Sequence, residues 1–254
     1  MQLFMINRKR IYTNAIRLRN LMIFGKIDPT EYYINKKAKV VYIENPKVAS
    51  TTLKKLIYYE KYNSDYSHSD FHLFINKFKE LHLNHKIKNS FFCFSFVRNP
   101  FDRVISCYED KIRGDRYLGT PFYGSYWNRL VFYMFSNRIV TNRDISFDLF
   151  VDSISKIPDS FADRHIRSQY STLFHKRIPI YSYIGKLENF SHDILPILKK
   201  LKIKKFFTEN KSNKRLDYSF YFKNDETARK IVRRYHNDFK TFNYSTNLKN
   251  YEDI

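Results

Sequence analysis

Lys47 opens a run in which one cation and two small apolar residues, Val48 and Ala49, lead into the three hydroxyls of Ser50, Thr51 and Thr52, within "YIENPKVASTTLKK". An ammonium, hydroxyls and the amide N–H groups of a helix start are suited to hold a phosphate or a sulfate. The glycines of the ATP-binding pattern G-x-x-x-x-G-K-[ST] are missing, and no Asp is clearly placed for magnesium. A second turn, "FVRNPFDRVISCYEDK", supplies Arg98 at the end of an apolar run and Ser106 on the helical pattern that follows. Ser106 falls about 140° from the centre of that helix's apolar stripe, which turns it away from the core. Two separated anion sites, one for a reactive group and one for a remote phosphate, suit a nucleotide phosphorylated at two places. His165 in "DRHIRSQ" and His68 and His72 in "YSHSDFHLF" are isolated histidines, a type more often structural or exposed than catalytic. The basic stretch "NKSNKRLDY", with Lys211 and Arg215, is either a solvated loop or a cationic cover for the remote phosphate.

The elements around these residues follow from periodicity. "AKVVYIE" reads as a buried strand, and Leu53, Leu56 and Ile57 continue it at helical spacing. Ser90 to Val97, "SFFCFSFV", is a second strand. Asn99 suits the N-cap of the next helix, Pro100 its first position and Asp102 its first turn, with Phe101, Val104, Ile105, Tyr108 and Ile112 as the apolar stripe. A third unit lies in "IYSYIGKLENFSHDILPILKKL", a strand to Leu187 and a helix through Ile194, Leu198 and Leu201 in which Pro196 disturbs the first turn. Between the second and third units, Gly114 to Asn142 reads as an irregular aromatic and basic insertion over the site, and Phe147, Phe150, Val151 and Ile154 then return to helical spacing. Ala228, Ile231, Val232, Tyr235 and Phe239 predict a closing helix with Asp225 and Glu226 at its positive pole. Strands alternating with helices predict an α/β fold: three layers, P-loop-like, with a central parallel sheet and helical additions.

The composition fits one catalytic domain. With 254 residues, 43% hydrophobic and 18% aromatic, and only 5 Gly and 7 Pro, the chain is neither disordered nor fibrous. No linker or repeat divides it, so residues 36–254 are expected to form a single domain behind a basic N-terminal segment, 1–35. A net charge of +21 calls for an anionic partner: a nucleotide, an acidic glycan, a membrane surface or nucleic acid. Arg8, Lys9, Arg10, Arg17 and Arg19 interrupt the first apolar residues, which excludes a signal-peptide core and leaves a solvated face, or a helix lying peripherally on an anionic membrane. Cys93 and Cys107 offer neither a disulfide framework nor a metal cluster, so no metal site and a reducing, cytoplasmic location are expected.

The two turns resemble those of sulfotransferases that use 3′-phosphoadenosine 5′-phosphosulfate (PAPS), and most closely the carbohydrate-modifying group. "NPKVASTTLKK" resembles the 5′-phosphosulfate loop and "FVRNPFDRVISCYEDK" the 3′-phosphate motif. "ADRHIRSQ", "YSYIGKLENF" and "YHNDFKTFNY" follow in the family's order, so the similarity runs from about Val40 to Tyr244. The resemblance implies that Lys47 balances charge on the departing phosphate, that the Val48–Thr52 loop binds the 5′ end, that Arg98 and Ser106 hold the 3′-phosphate, and that the base taking the acceptor's proton is His165, which matches a histidine motif of the family, or His68 or His72, which stand where another branch of it carries its base. It implies PAPS as co-substrate without a metal, and a glycan or lipid-linked polysaccharide as acceptor. Ala49 and Thr51 stand where glycine or cysteine is common in the family, and Asn99 where Asp is frequent; none of these removes an anion contact. A nucleotide kinase is the rival class, though its glycine pattern is missing. A nucleic-acid-binding protein is another, though it gives no reason for two ordered anion turns.

Overall fold

The computed structural model describes residues 14–58, 75, 78–113, 126–137, 145–204 and 218–251. Along the chain run helix α1 (residues 14–24), strands β1 (Tyr32–Asn35) and β2 (Val40–Ile43), α2 (Ser50–Ile57), β3 (Lys79–Glu80), α3 (His85–Ser90), β4 (Phe92–Val97) and α4 (Pro100–Tyr108). There follow α5 (Tyr126–Ser136), α6 (Phe147–Ser155), α7 (Gln169–Leu173), β5 (Phe174–His175), β6 (Ile178–Pro179), β7 (Tyr183–Lys186), α8 (Phe190–Asp193) and α9 (Leu195–Leu201). Then come α10 (Tyr218–Tyr221), α11 (Asp225–Arg234) and α12 (His236–Thr241). The chain gathers into two compact units, Thr30–Arg98 with Gln169–Lys214, and Met1–Pro29 with Asn99–Ser168 and Arg215–Ile254.

The first unit is built on a five-stranded sheet in the order β3-β1-β2-β4-β7. β2, β4 and β7 are parallel, with Val40 opposite Phe92 and Phe96 opposite Gly185, while β1 and β3 add an antiparallel margin. Sheets of this kind are covered on both faces, which is why β2 and β4 read as unbroken apolar runs. Val40, Tyr42, Phe94 and Phe96 share a core cluster with Leu53, Leu56 and Ile57 of α2 and Ile197 and Leu201 of α9. Val41, Ile43, Cys93 and Val97, on the opposite face, are equally buried. Gly185 is required where it stands, because a Cβ there would lie 2.5 Å from the Phe96 ring.

The second unit is helical. Phe101, Val104, Ile105, Tyr108 and Ile112 pack with Phe147, Phe150, Val151 and Ile154 of α6 and with Ile231, Tyr235 and Phe239 near the end of the chain. The predicted caps stand: Asn99 Oδ1 accepts from the Phe101 N–H at 2.9 Å, Pro100 is the first helical residue, and Asp102 lies in the first turn. Ile112 sits on a π-helical extension, Glu109–Arg113.

Three expectations need correction. The closing helix is two helices, because Tyr235 leaves helical geometry (φ −111°, ψ 27°) with its hydroxyl donating to Ile166 O at 2.7 Å. The third unit's helix likewise splits into α8 and α9 around Ile194, with Pro196 in the first turn of α9, where its missing N–H is tolerated. Within the expected irregular insertion, α5 is helical: Tyr126–Ser136 holds no Gly or Pro, and it buries Val131 and Phe132. The rest of that stretch, 114–125 and 138–142, lies outside the described residues. Among the described residues, no helix is long and apolar enough to cross a membrane.

Candidate active site

The loop between β2 and α2 answers the missing glycines with strain. Lys47 (φ 70°) and Ala49 (φ 54°, ψ 31°) both take left-handed backbone conformations, which cost an L-residue roughly 1–2 kcal/mol each. Turns of this kind point successive N–H groups into a concavity that accepts anions. Ala49 precedes α2 without any side-chain cap, and the first intrahelical bond is Leu53 N–H to Ala49 O at 3.0 Å. The amides of Ser50, Thr51 and Thr52 therefore come before the helical ladder begins. Lys47, Ala49, Ser50, Thr51 and Thr52 are half-buried. The Val48 side chain, in contrast, is fully buried in the sheet cluster, so only its backbone is available to a ligand. The loop's acid is already matched: Glu44 is buried and accepts from Lys54 Nζ at 2.8 Å, which keeps a carboxylate from opposing an incoming anion.

Arg98 follows β4 in the same unit. Its main chain is held by the Gln169 side chain, which donates from Nε2 to Arg98 O at 2.7 Å and accepts the Arg98 N–H on Oε1 at 2.9 Å. The same Oε1 accepts from Asn45 Nδ2 at 2.9 Å, and Asn45 also donates to Phe96 O at 2.9 Å. Gln169 and Asn45 are both completely buried. One side chain thus ties the first anion turn to the second.

The helical unit carries Ser106 and His165. On α4 Asn99 Oδ1 takes the Phe101 N–H and Pro100 has no N–H, so fewer amides are available to an anion at this helix start than at α2. Ser106 is half-buried between buried Ile105 and Cys107, in agreement with its expected outward turn. His165 Nδ1 lies 2.6 Å from Asp163 Oδ1, and the His165 amide donates to the same oxygen at 2.9 Å. Burial works to raise the Asp163 carboxyl, but the charge and hydrogen bonds of His165, with Arg164 behind them, hold it well below the usual carboxylate range. An ionised Asp163 can only accept, so Nδ1 carries the hydrogen, and in the neutral ring Nε2 is left with the lone pair. That is the tautomer a general base needs.

Two buried arginines fix the histidine's segment. Arg103 of α4 donates to Arg167 O at 2.8 Å and to Arg164 O at 3.1 Å, bracketing His165 on both sides. Arg167 donates to the carbonyls of Asp159 (3.2 Å), Ala162 (3.0 Å) and Asp28. Asp159 accepts from Arg234 at 2.6 Å and from the hydroxyl and amide of Ser168; burial would raise its carboxyl, but Arg234 and then Ser168 bring it below the ordinary value. None of Arg103, Arg167, Asn45 and Gln169 was singled out from sequence. The only signal was that Asn45 falls inside the quoted 5′-phosphosulfate loop, Arg103 inside the 3′-phosphate motif, and Arg167 and Gln169 inside "ADRHIRSQ". His68, His72, Lys211 and Arg215 lie outside the described residues. Among the described residues, no group of His, Cys, Asp and Glu gathers as a set of metal ligands.

The first unit is thus a mixed α/β sheet whose parallel strands lead into a glycine-free, hydroxyl-bearing loop at Lys47–Thr52 and a basic strand end at Arg98. The comparisons go further: the chain belongs to the sulfotransferase family, whose pattern matches residues 30–245. The match covers and extends the stretch of resemblance read from the two turns, and the chain is a sulfotransferase enzyme. Carbohydrate sulfotransferase 11 of Rattus norvegicus is 26% identical over 258 residues, covering 91% of this chain and 72% of the relative; carbohydrate sulfotransferase 11 of Mus musculus matches to the same extent. No solved structure matches the chain.

Proposed function

We propose that the protein transfers a sulfuryl group from PAPS to a carbohydrate hydroxyl. The observation that carries this reading is the glycine-free loop at Lys47–Thr52, whose two left-handed residues and uncapped helix start supply amides, hydroxyls and one ammonium. Lys47 balances charge on the 5′-phosphate as its bond to sulfur breaks, and the Ser50–Thr52 amides and hydroxyls hold that end. Arg98 and Ser106 hold the 3′-phosphate. The acceptor oxygen attacks sulfur in line, the S–O bond to the 5′-phosphate breaks, and adenosine 3′,5′-bisphosphate leaves. The acceptor proton passes to His165 Nε2, with Asp163 stabilising the imidazolium that forms. The names of the two relatives support a carbohydrate acceptor, and the surplus positive charge supports an anionic or lipid-linked polysaccharide. The two free cysteines, both buried, are compatible with a reducing compartment, on which basis we keep the cytoplasm as the proposed location.

The test is transfer of labelled sulfate from PAPS to a panel of neutral and anionic oligosaccharides, with and without EDTA. Metal-independent label on a sugar is expected. Label transferred to a sugar from γ-labelled ATP and none from PAPS would overturn the donor, and no labelled sugar while PAPS is bound would overturn the acceptor.

A further inference from the structure

Gln169 does more than fill the space beyond β4. Its amide makes on Arg98 one accepted and one donated bond, the pair a neighbouring strand would make, and so extends the sheet's hydrogen bonding one residue past Val97. The orientation of both amides is fixed. Arg98 offers one N–H and one carbonyl, so Gln169 must donate from Nε2 and accept on Oε1; Asn45 must then direct its Nδ2 to Oε1 and to Phe96 O. Arg98 is the last residue before the chain leaves the sheet unit, and Gln169 is the first on its return. The Asn45 Oδ1 that results is buried and has no partner among the described residues.

We propose that Gln169 is a positioning residue for donor binding: through Arg98 and Asn45 it sets the spacing between the turn that holds the 3′-phosphate and the loop that holds the 5′ end. This rests on the assignment of PAPS as donor. Neither polar contact can be replaced by an apolar side chain, and the position is too buried for water to substitute without rearrangement.

The experiment measures binding of adenosine 3′,5′-bisphosphate by calorimetry to the full chain, together with steady-state kinetics in PAPS. Wild-type binding tests the donor assignment by itself; if the wild type does not bind, that assignment fails and the positioning role with it. If it binds, Gln169→Leu is expected to weaken the bisphosphate tenfold or more and raise the KM for PAPS in step, with kcat changed less than threefold. A folded Gln169→Leu that binds as the wild type does overturns the inference. Should that variant not fold, Gln169→Glu gives the answer. Its carboxylate repels Arg98 O, whereas its protonated form donates and accepts as the amide does. The ratio of variant to wild-type Kd should therefore fall toward one as pH is lowered from 8 to 5. A ratio that stays constant with pH overturns the inference.

Discussion

Replacing Lys47 by glycine and by alanine separates the charge of the anion loop from its strain. Both substitutions remove the ammonium. Only glycine also relieves the left-handed backbone at φ 70°, worth roughly 1–2 kcal/mol. Against that gain, glycine adds freedom to the unfolded chain worth about 0.4–1 kcal/mol. Strain relief is the larger, so Lys47→Gly should be more stable than Lys47→Ala by about 0.5–1 kcal/mol. At about 2–4 °C per kcal/mol for a chain of this size, the two variants should melt about 1–4 °C apart. Ala49→Gly, at φ 54°, should gain as much over the wild type while keeping its cation. In sulfate transfer at saturating PAPS, both Lys47 variants should lose about 10²–10³ in kcat, since the lost interaction is strongest as the leaving phosphate gains charge, while Ala49→Gly stays active. Differential scanning fluorimetry and an initial-rate assay suffice. If Lys47→Gly melted at or below Lys47→Ala, the backbone account would be wrong; if either kept wild-type turnover, the assignment of the loop would be wrong.

Further predictions follow from other sites. Gly185→Ala drives a methyl to 2.5 Å from a fully buried Phe96 ring and should cost about 1–3 kcal/mol by thermal melting, part of which Phe96→Leu should restore in the double variant; additive effects would refute the contact. His165→Ala should lower kcat by about 10²–10⁴ with bisphosphate affinity little changed, and Asp163→Asn, which removes the negative charge that stabilises the imidazolium, should lower it by about 10–100-fold; equal activity in Asp163→Asn would show that this charge contributes nothing to the reaction. Asp159 and Asp163 have folded-state carboxyls below their unfolded value of about 3.9, so the stability they contribute is fully present above that value and is lost as pH falls below it. The melting temperature of Asp163→Asn should accordingly fall less steeply than the wild type's between pH 5 and 2. Burial pushes the Cys93 thiol up to about 11, so Cys93 should resist a thiol reagent in the native protein at neutral pH and react once denaturant is added.

The three strand-turn-helix units were legible because parallel strands covered on both faces, such as Val40–Ile43 and Phe92–Val97, leave no polar interruption, and because Asn99-Pro100 marks a helix start. The margin of the sheet was not. β1 has one fully buried residue, Tyr33, and β3 is two exposed charged residues, so neither carries a pattern. The break at Tyr235 was hidden because the apolar stripe runs through it, and periodicity does not register a single residue leaving helical geometry. At the site, the cation and hydroxyls of Lys47–Thr52 were readable as types in order. The groups that hold the site in shape were not: Arg103, Arg167, Asn45 and Gln169 are polar residues that hydropathy places at the surface, and their carbonyl and amide partners, which for each of them include one far away in the chain, account for their burial.

The placement of β4 between β2 and β7 also bears on how the chain is made. The Cys93 amide bonds Ser182 Oγ across 89 positions of sequence, next to the strand that completes the parallel pairing. At translation rates of about 5–20 residues per second, roughly 4–18 s pass between the synthesis of these partners. Through that interval "FCFSFV" has one free edge, and such a short apolar run of β-formers without charge or proline is the kind that pairs with neighbouring nascent chains. Slower initiation or cooler growth, which thins the population of half-made chains, should therefore raise the soluble yield of this protein more than stronger transcription would.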